Sequence, residues 1–255
     1  MNIQAVASNI LPQWNLKINC SKTEHVRFYL ADKGSEDHNN EPWRKSKLLG
    51  SYMCSKYDIR QRCIQGNIAF QSFKQVWLQG HRICLNRLIQ IYEALVVSVI
   101  LYNCSSWTAP NDVLEKLDTC HRKHLRQILN IKYPTKISNE KLYDICSTTP
   151  LTIRVKTSRW KLFGHILRSP ENSPAALSLQ FAVVGSSSLK GRRGRHQINL
   201  LSTLQNDIKR IPVDRNSHNT LRHYKLTLKC EQDITTLREL ANNRRDWNNL
   251  LNYII

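Results

Sequence analysis

Ser158-Arg159-Trp160-Lys161-Leu162-Phe163-Gly164-His165-Ile166-Leu167-Arg168 combines an apolar side with a basic side at helical spacing. Just upstream, Thr149-Pro150 supplies a helix start, with Thr as N-cap and Pro as the first helical residue. Pro170 closes the segment, so a helix of about five turns from Leu151 to Arg168 is expected. At about 100° per residue, Arg154, Lys161, His165 and Arg168 fall within a stripe of roughly 60°. Ile153, Val155, Trp160, Leu162, Phe163, Ile166 and Leu167 fill most of the opposite side, which reads as the core face. Gly164 sits beside the basic stripe, where the missing side chain leaves room for a partner's backbone. The competing reading is a solvated basic face on an ordinary bundle helix.

Working outward, the same periodicity recurs. Ile59, Cys63, Gly66, Phe70, Phe73 and Trp77 mark a helix that begins near Tyr57. Leu85, Leu88, Tyr92, Leu95, Val99 and Tyr102 mark a second, which runs to about Asn103 and is apolar nearly all round in its second half. It is therefore the expected buried centre of a bundle. A third begins near Asn111 after Pro110, with Leu114, Leu117, His121, Leu125 and Ile128 inward and Lys116, Arg122, Lys123 and Arg126 outward. Ser138 is placed to cap a short fourth helix through Cys146, and Ser173-Pro174 starts another through Phe181. Leu201, Leu204, Ile208 and Ile211, then Leu237, Leu240, Trp247 and Leu250, give two further patterns, read as a small separate unit.

Near the N-terminus the period is shorter. His25-Val26-Arg27-Phe28-Tyr29-Leu30 and Lys47-Leu48-Leu49-Gly50-Ser51-Tyr52-Met53 read as two strands, with a polar loop 31–40 between them. The expected architecture is thus mainly α: a helical bundle preceded by a short antiparallel β unit and followed by a small C-terminal helical unit. Boundaries are placed at 1–55, 56–182, 183–197 and 198–255. The third segment, rich in Gly, Ser and Arg, reads as a linker. Its Arg192, Arg193 and Arg195 suit phosphates or a minor groove, and a charged linker without a dedicated site is equally compatible.

The chain has 255 residues and a formal net charge of +19, an excess that opposes compaction unless a polyanion is bound. Nucleic acid is the first candidate and an anionic membrane surface the second. The longest apolar run, Ala94 to Tyr102, is far short of the roughly 20 residues that span a bilayer. The first residues lack the pattern of a signal peptide, so an intracellular place in nucleus or cytoplasm is expected, with no membrane partner. Between His121 and Arg168 eleven Lys and Arg face two carboxylates, Glu140 and Asp144, which concentrates the positive charge there. With Tyr133 and Trp160 interleaved, such rows fit backbone tracking along a nucleic acid.

Catalytic patterns are sparse. The ten aspartates are isolated, with no Asp-Asp pair and no Asp-x-Asp motif to seat Mg²⁺. The eight cysteines include no C-x-x-C pair and read as small buried residues of a reducing compartment. Cys104, Cys120, His121 and His124 form the strongest zinc candidate, although their spacing matches no standard zinc module and core histidines are the commoner outcome. His165 has no orienting carboxylate nearby in sequence that would make it a general base.

The order of segments resembles the end of the reverse-transcriptase region of non-LTR (LINE-type) retrotransposons. Leu16-Lys17-Ile18-Asn19-Cys20-Ser21-Lys22-Thr23-Glu24 is similar to that family's motif following the catalytic palm residues, and Lys47-Leu48-Leu49-Gly50-Ser51 to its primer-grip strand. The helices Asp58 to Trp77 and Leu85 to Trp107 resemble its thumb, closing on Leu101-Tyr102-Asn103-Cys104-Ser105-Ser106-Trp107. Leu125-Arg126-Gln127-Ile128-Leu129, Ile137-Ser138-Asn139 and Gly164-His165-Ile166-Leu167-Arg168 continue the resemblance in order.

By that resemblance 1–55 is the end of a palm, Lys22 lies near an incoming nucleotide, and Leu49, Gly50 and Ser51 lie near a primer terminus. Asn15 stands where the family usually has glycine, and the family's aromatic-x-Asp-Asp motif is missing. The resemblance therefore implies a thumb and C-terminal fragment without polymerase activity alone. It would hold an RNA or DNA template–primer duplex through Arg122, Lys123, Arg126, Arg154, Lys161, His165, Arg168, Arg192, Arg193 and Arg195. No cofactor is expected, Mg²⁺ entering only with a palm. An incomplete gene model of an active RNA-directed DNA polymerase and an inert, poorly folded remnant are the alternatives.

Overall fold

The computed structural model describes residues 3–19, 21, 23, 46–75, 83–188, 199–209 and 231–254. The expected strand His25–Leu30, the loop 31–40, Lys22, Trp77, Ile211, Arg192, Arg193 and Arg195 lie outside the described residues. The chain divides into two compact units, Met1–Met53 and Cys54–Ile255.

The first unit opens with α1 (Ile3–Ile10) and a 3₁₀ turn, Leu11–Trp14. Asn15 ends that turn in the left-handed region at φ 55°, its N–H donating to the Pro12 carbonyl at 3.1 Å. The stretch 47–53, expected as one strand, is instead a complete hairpin. β1 (Lys47–Leu48) pairs antiparallel with β2 (Ser51–Tyr52), Lys47 opposite Tyr52 and Leu48 opposite Ser51. Leu49 and Gly50 make the turn at φ 50° and 81°, and positive φ at both central residues matches the twist of tight hairpins. The turn overrides the strand preference of Leu-Leu because Gly50 adopts that backbone at no steric cost.

The second unit is helical: α2 (Ser55–Ser72), α3 (Leu85–Tyr92), α4 (Ser98–Ile100), α5 (Asn111–Ile128), α6 (Asn139–Ile145), α7 (Leu151–Arg168), α8 (Pro174–Ser188), α9 (Leu200–Lys209), α10 (Glu231–Asn242) and α11 (Arg244–Ile254). A π-helical turn, Glu93–Val97, joins α3 to α4 without a break. That turn changes which residues face inward. Leu85, Leu88 and Tyr92 were expected to continue through Leu95, Val99 and Tyr102. Leu95 and Tyr102 are exposed instead, while Val96, Val97 and Ile100 are buried. One extra residue per turn rotates everything downstream, so an uninterrupted period of 3.6 picks the wrong row.

Where α2 crosses α4, Gly66 is fully covered, and a Cβ there would overlap the Ile100 side chain. The buried rows of α2 to α6 and the start of α7 form one core. It runs from Ile59 and Phe70 through Leu88, Tyr92, Val96 and Ile100 to Leu117, Leu125, Leu142, Leu151 and Val155. The end of α7 belongs to a second core. Trp160, Phe163 and Leu167 pack there with Val183 of α8, Leu204 of α9, Leu237 and Ala241 of α10, and Trp247 and Leu250 of α11.

Helix α7 is therefore shared by both cores, and the C-terminal helices do not form a unit of their own. Their apolar faces find cover on Trp160 and Phe163 of α7. The expected start of a linker at 183 also moves, since Val183 is buried within α8.

Three polar ties join these layers. The Trp107 indole N–H donates to buried Asp58 of α2 at 2.8 Å. Asp118 of α5 accepts from the Thr152 N–H at 3.1 Å and the Thr152 hydroxyl at 2.5 Å, capping the first turn of α7. The helix has the bounds expected, but Pro150 rather than Thr149 is the N-cap residue. Ser138 does cap α6, accepting from the Lys141 N–H at 3.2 Å. Arg159 of α7 is buried, and it donates to the Trp107 carbonyl at 3.0 and 3.2 Å and to Asp207 of α9 at 3.1 Å.

Candidate nucleic-acid interface

Helix α5 presents the arrangement its sequence predicts. Leu114, Leu117, His121, Leu125 and Ile128 are buried, while Lys116 and Lys123 are exposed and Arg122 and Arg126 are half-buried at the rim. Arg126 donates to the Asn139 side-chain oxygen at 2.8 Å and Arg122 to the Thr119 hydroxyl at 3.1 Å. Both are neutral partners that orient a guanidinium without cancelling its charge. The connection after α5 extends this surface, with Lys132, Tyr133 and Lys136 all exposed and Tyr133 91% so.

The four-residue stripe on α7 is broken up. Arg154 pairs with half-buried Glu93 of the π-helical turn and donates to the Thr148 hydroxyl at 2.9 Å, so its charge is already compensated within the protein. Arg168 keeps its charge but donates to the Ala241 carbonyl of α10 at 3.1 Å. Lys161 and His165 remain exposed between them.

Gly164 does not await a partner's backbone. The Trp247 ring of α11 lies against it, and a Cβ there would overlap the indole. Gly164→Ala is expected to cost about 1–3 kcal/mol, because Trp247 is itself wedged against Trp160 and Phe163 at 6.0 and 6.3 Å between ring centroids. A urea melt measures this, and an unchanged midpoint would mean that the indole yields freely. Trp160, expected among the basic residues as a stacking aromatic, is buried, and its indole N–H faces Asp207 at 3.3 Å.

Arg159 stood in the stretch that announced the helix, yet it lies about 120° from His165 on the helical wheel, inside the apolar arc. That angle was the available signal that it points inward. Its acidic partner lies 48 residues away, beyond any local pattern.

Among the described residues the ion pairs are Arg62–Asp58, Arg154–Glu93, Arg159–Asp207 and Arg238–Glu171. None uses Lys116, Lys123, Arg126, Lys132, Lys136 or Lys161. The uncompensated positive surface thus runs along the outer side of α5 into the 131–137 connection, with Lys161 and His165 on α7.

In the first unit, Leu49 stands 86% exposed at the tip of the hairpin, with Ser51 buried behind it. Asn19 accepts from the Ser21 N–H at 3.1 Å and the Ser21 hydroxyl at 2.7 Å, folding the segment that precedes Lys22.

The four zinc-candidate residues are not brought together. Cys104 is buried beside Ser158 and Arg159. His121 and His124 both direct Nδ1 at the Tyr92 hydroxyl, at 2.9 and 3.2 Å, and His124 Nε2 meets the Asn67 side-chain oxygen at 2.8 Å. Asn67 can only accept at that oxygen, so His124 carries its proton on Nε2 and its Nδ1 accepts from Tyr92. Tyr92 has one proton to give, so His121 must donate Nδ1–H to the Tyr92 oxygen.

That leaves His121 Nε2 bare and buried without a partner. Burial first, then the positive charges of Arg154 and Arg122, lowers His121 to about 3, which keeps it neutral. Among the described residues no group of three or more His, Cys, Asp or Glu is arranged to hold a metal ion, and no helix is long and apolar enough to cross a membrane.

Comparison with protein-family models, curated proteins and solved structures finds no match. The functional reading therefore rests on the residues themselves.

Proposed function

We propose that this chain is a nucleic-acid-gripping module, the thumb and C-terminal part of a non-LTR reverse transcriptase, that holds an RNA or DNA template–primer duplex by its phosphates. The observation that carries the reading is the unneutralised basic surface of Lys116, Lys123, Arg126, Lys132 and Lys136, next to exposed Tyr133. Phosphate contact needs ammonium and guanidinium groups held at a surface but not already paired, and these are so held. One feature of the first unit agrees with the family resemblance. Asn15, where glycine is usual, adopts a left-handed backbone that glycine favours and asparagine tolerates. The chain carries no paired aspartates of its own, so the proposed role is grip rather than nucleotide transfer.

Duplex affinity measured at about 50 and 200 mM salt tests the reading. If Lys123, Arg126, Lys132 and Lys136 each neutralise one phosphate, they account for roughly a 10²-fold loss across that range. Replacing all four by alanine should flatten the salt slope by about three to four, whereas Arg154→Ala should leave it unchanged, since Glu93 already compensates that charge. Equal slopes for wild type and the fourfold variant would remove this surface from the account.

A further inference from the structure

The connection from α5 to α6 carries an aromatic side chain that phosphate contact alone does not use. Asn130, just past α5, takes the left-handed region at φ 53°, and the Ile131 N–H donates back to the Arg126 carbonyl at 2.9 Å. Ile131 and Ile137 are both half-buried against the first core, and Arg126 reaches across to the Asn139 side-chain oxygen at 2.8 Å. Between those anchors the chain turns at Tyr133-Pro134, closed by the Thr135 N–H donating to the Lys132 carbonyl at 2.9 Å. The tip is therefore held at both ends, and Tyr133 projects from it 91% exposed.

What such a ring can hold follows from its surroundings. The residues beside it, Lys132, Pro134, Thr135 and Lys136, are all exposed, and two of them are cations. A protein partner that buries an aromatic anchor does so inside a ring of further contacts that exclude water. The tip offers no second large apolar side chain with which to build one. A nucleobase asks for less, namely one open π face with cations near the adjoining phosphates. Bases inside a duplex have both faces covered by their neighbours, so only an unpaired one can use the ring. Tyrosine suits the task because fixing it costs the freedom of only two χ angles, and the anchored turn lowers that cost further.

We infer that Tyr133 is a stacking platform for an unpaired base, and that Lys132 and Lys136 hold the phosphates flanking that nucleotide. The inference rests on the nucleic-acid reading above and sharpens its ligand, from a duplex as such to a duplex with a single-stranded extension. Lys123 and Arg126 at the rim of α5 take duplex phosphates, while the 131–137 turn meets the strand where pairing ends. Stacking is indifferent to base identity because every base has a π face, so the turn discriminates unpaired from paired rather than one sequence from another.

Titration of the full chain with a blunt duplex, the same duplex carrying a short unpaired extension, and the single strand tests this. Wild type should bind the extended duplex more tightly than the blunt one. Tyr133→Ala should lose about 5- to 100-fold on the extended duplex and on the single strand while binding the blunt duplex unchanged. Tyr133→Phe should keep wild-type affinity for all three, since stacking needs the ring and not the hydroxyl. A 2-aminopurine in the extension should be quenched by wild type and by Tyr133→Phe but not by Tyr133→Ala. Because the side chain is exposed, unchanged blunt-duplex binding also reports that the variants are folded. Equal affinity of wild type and Tyr133→Ala for the extended duplex would overturn the inference. So would an equal loss on blunt and extended duplex, or a Tyr133→Phe that falls as far as Tyr133→Ala. A flat salt slope on the blunt duplex sinks the phosphate grip instead, and Tyr133-dependent binding of the single strand survives that result.

Discussion

Asp207→Ala is expected to lower the stability of the chain by about 3–5 kcal/mol, the largest effect of any single substitution considered. Asp207 is the only carboxylate that meets Arg159 among the described ion pairs, and the two side chains are 7% and 1% exposed. Burial pulls the Arg159 pKa down and Asp207 pushes it back up, so the guanidinium stays charged at the junction of two cores. Without Asp207 that charge stays buried with only the Trp107 carbonyl as partner, and the Trp160 indole N–H loses its acceptor as well. A urea melt measures the loss. The double variant Arg159→Met with Asp207→Leu should recover much of it, because two apolar side chains replace a pair that was costly to desolvate. If the double variant is no better than Asp207→Ala, lost packing rather than the stranded charge explains the damage.

Acid should weaken the chain earlier than its carboxylates require. His121 sits at about 3 in the folded chain against an ordinary 6.5, so between those values the unfolded state binds a proton that the folded state refuses. Its stabilising contribution is therefore complete above pH 6.5 and lost as the pH falls toward 3. Between about pH 6.5 and pH 5 the loss is about 2 kcal/mol. The groups around the ring reinforce this. Tyr92 of α3 hydrogen-bonds to Nδ1, Tyr143 of α6 stacks on the ring at 5.8 Å, and Arg154 and Arg122 add positive charge. Chemical melts of wild type and His121→Leu at both pH values isolate the term as a difference of differences. An equal acid-induced drop in the two proteins would show that His121 is not its source.

The parts of the fold that follow from neighbouring residues could be read directly. The period of 3.6 placed α5 and its inward row Leu114, Leu117, His121, Leu125 and Ile128, and Pro150 and Pro170 bracketed α7. Ser138 as a cap of α6 is likewise a matter of one hydroxyl and a backbone N–H three residues on. The outward basic row of α5 belongs to the same class, since a helix with one apolar side must show the other to solvent. What escaped were contacts whose partners are remote in the chain. Arg154 looked like a phosphate ligand until Glu93, 61 residues away, took its charge. Gly164 looked like an opening until Trp247 of α11 occupied it.

Composition and periodicity, then, were enough to determine a basic, mainly helical chain with α7 at its organising centre. Only the tertiary structure decided which cations are left free and which row of α3 and α4 turns inward. The physical reason is one of range. Backbone hydrogen bonds and amphipathic spacing act within a few residues and are written locally. The neutralisation of a charge, the filling of a gap beside a glycine and the phase shift of a π-helical turn depend on which distant surface arrives, and that is set by packing the whole core at once.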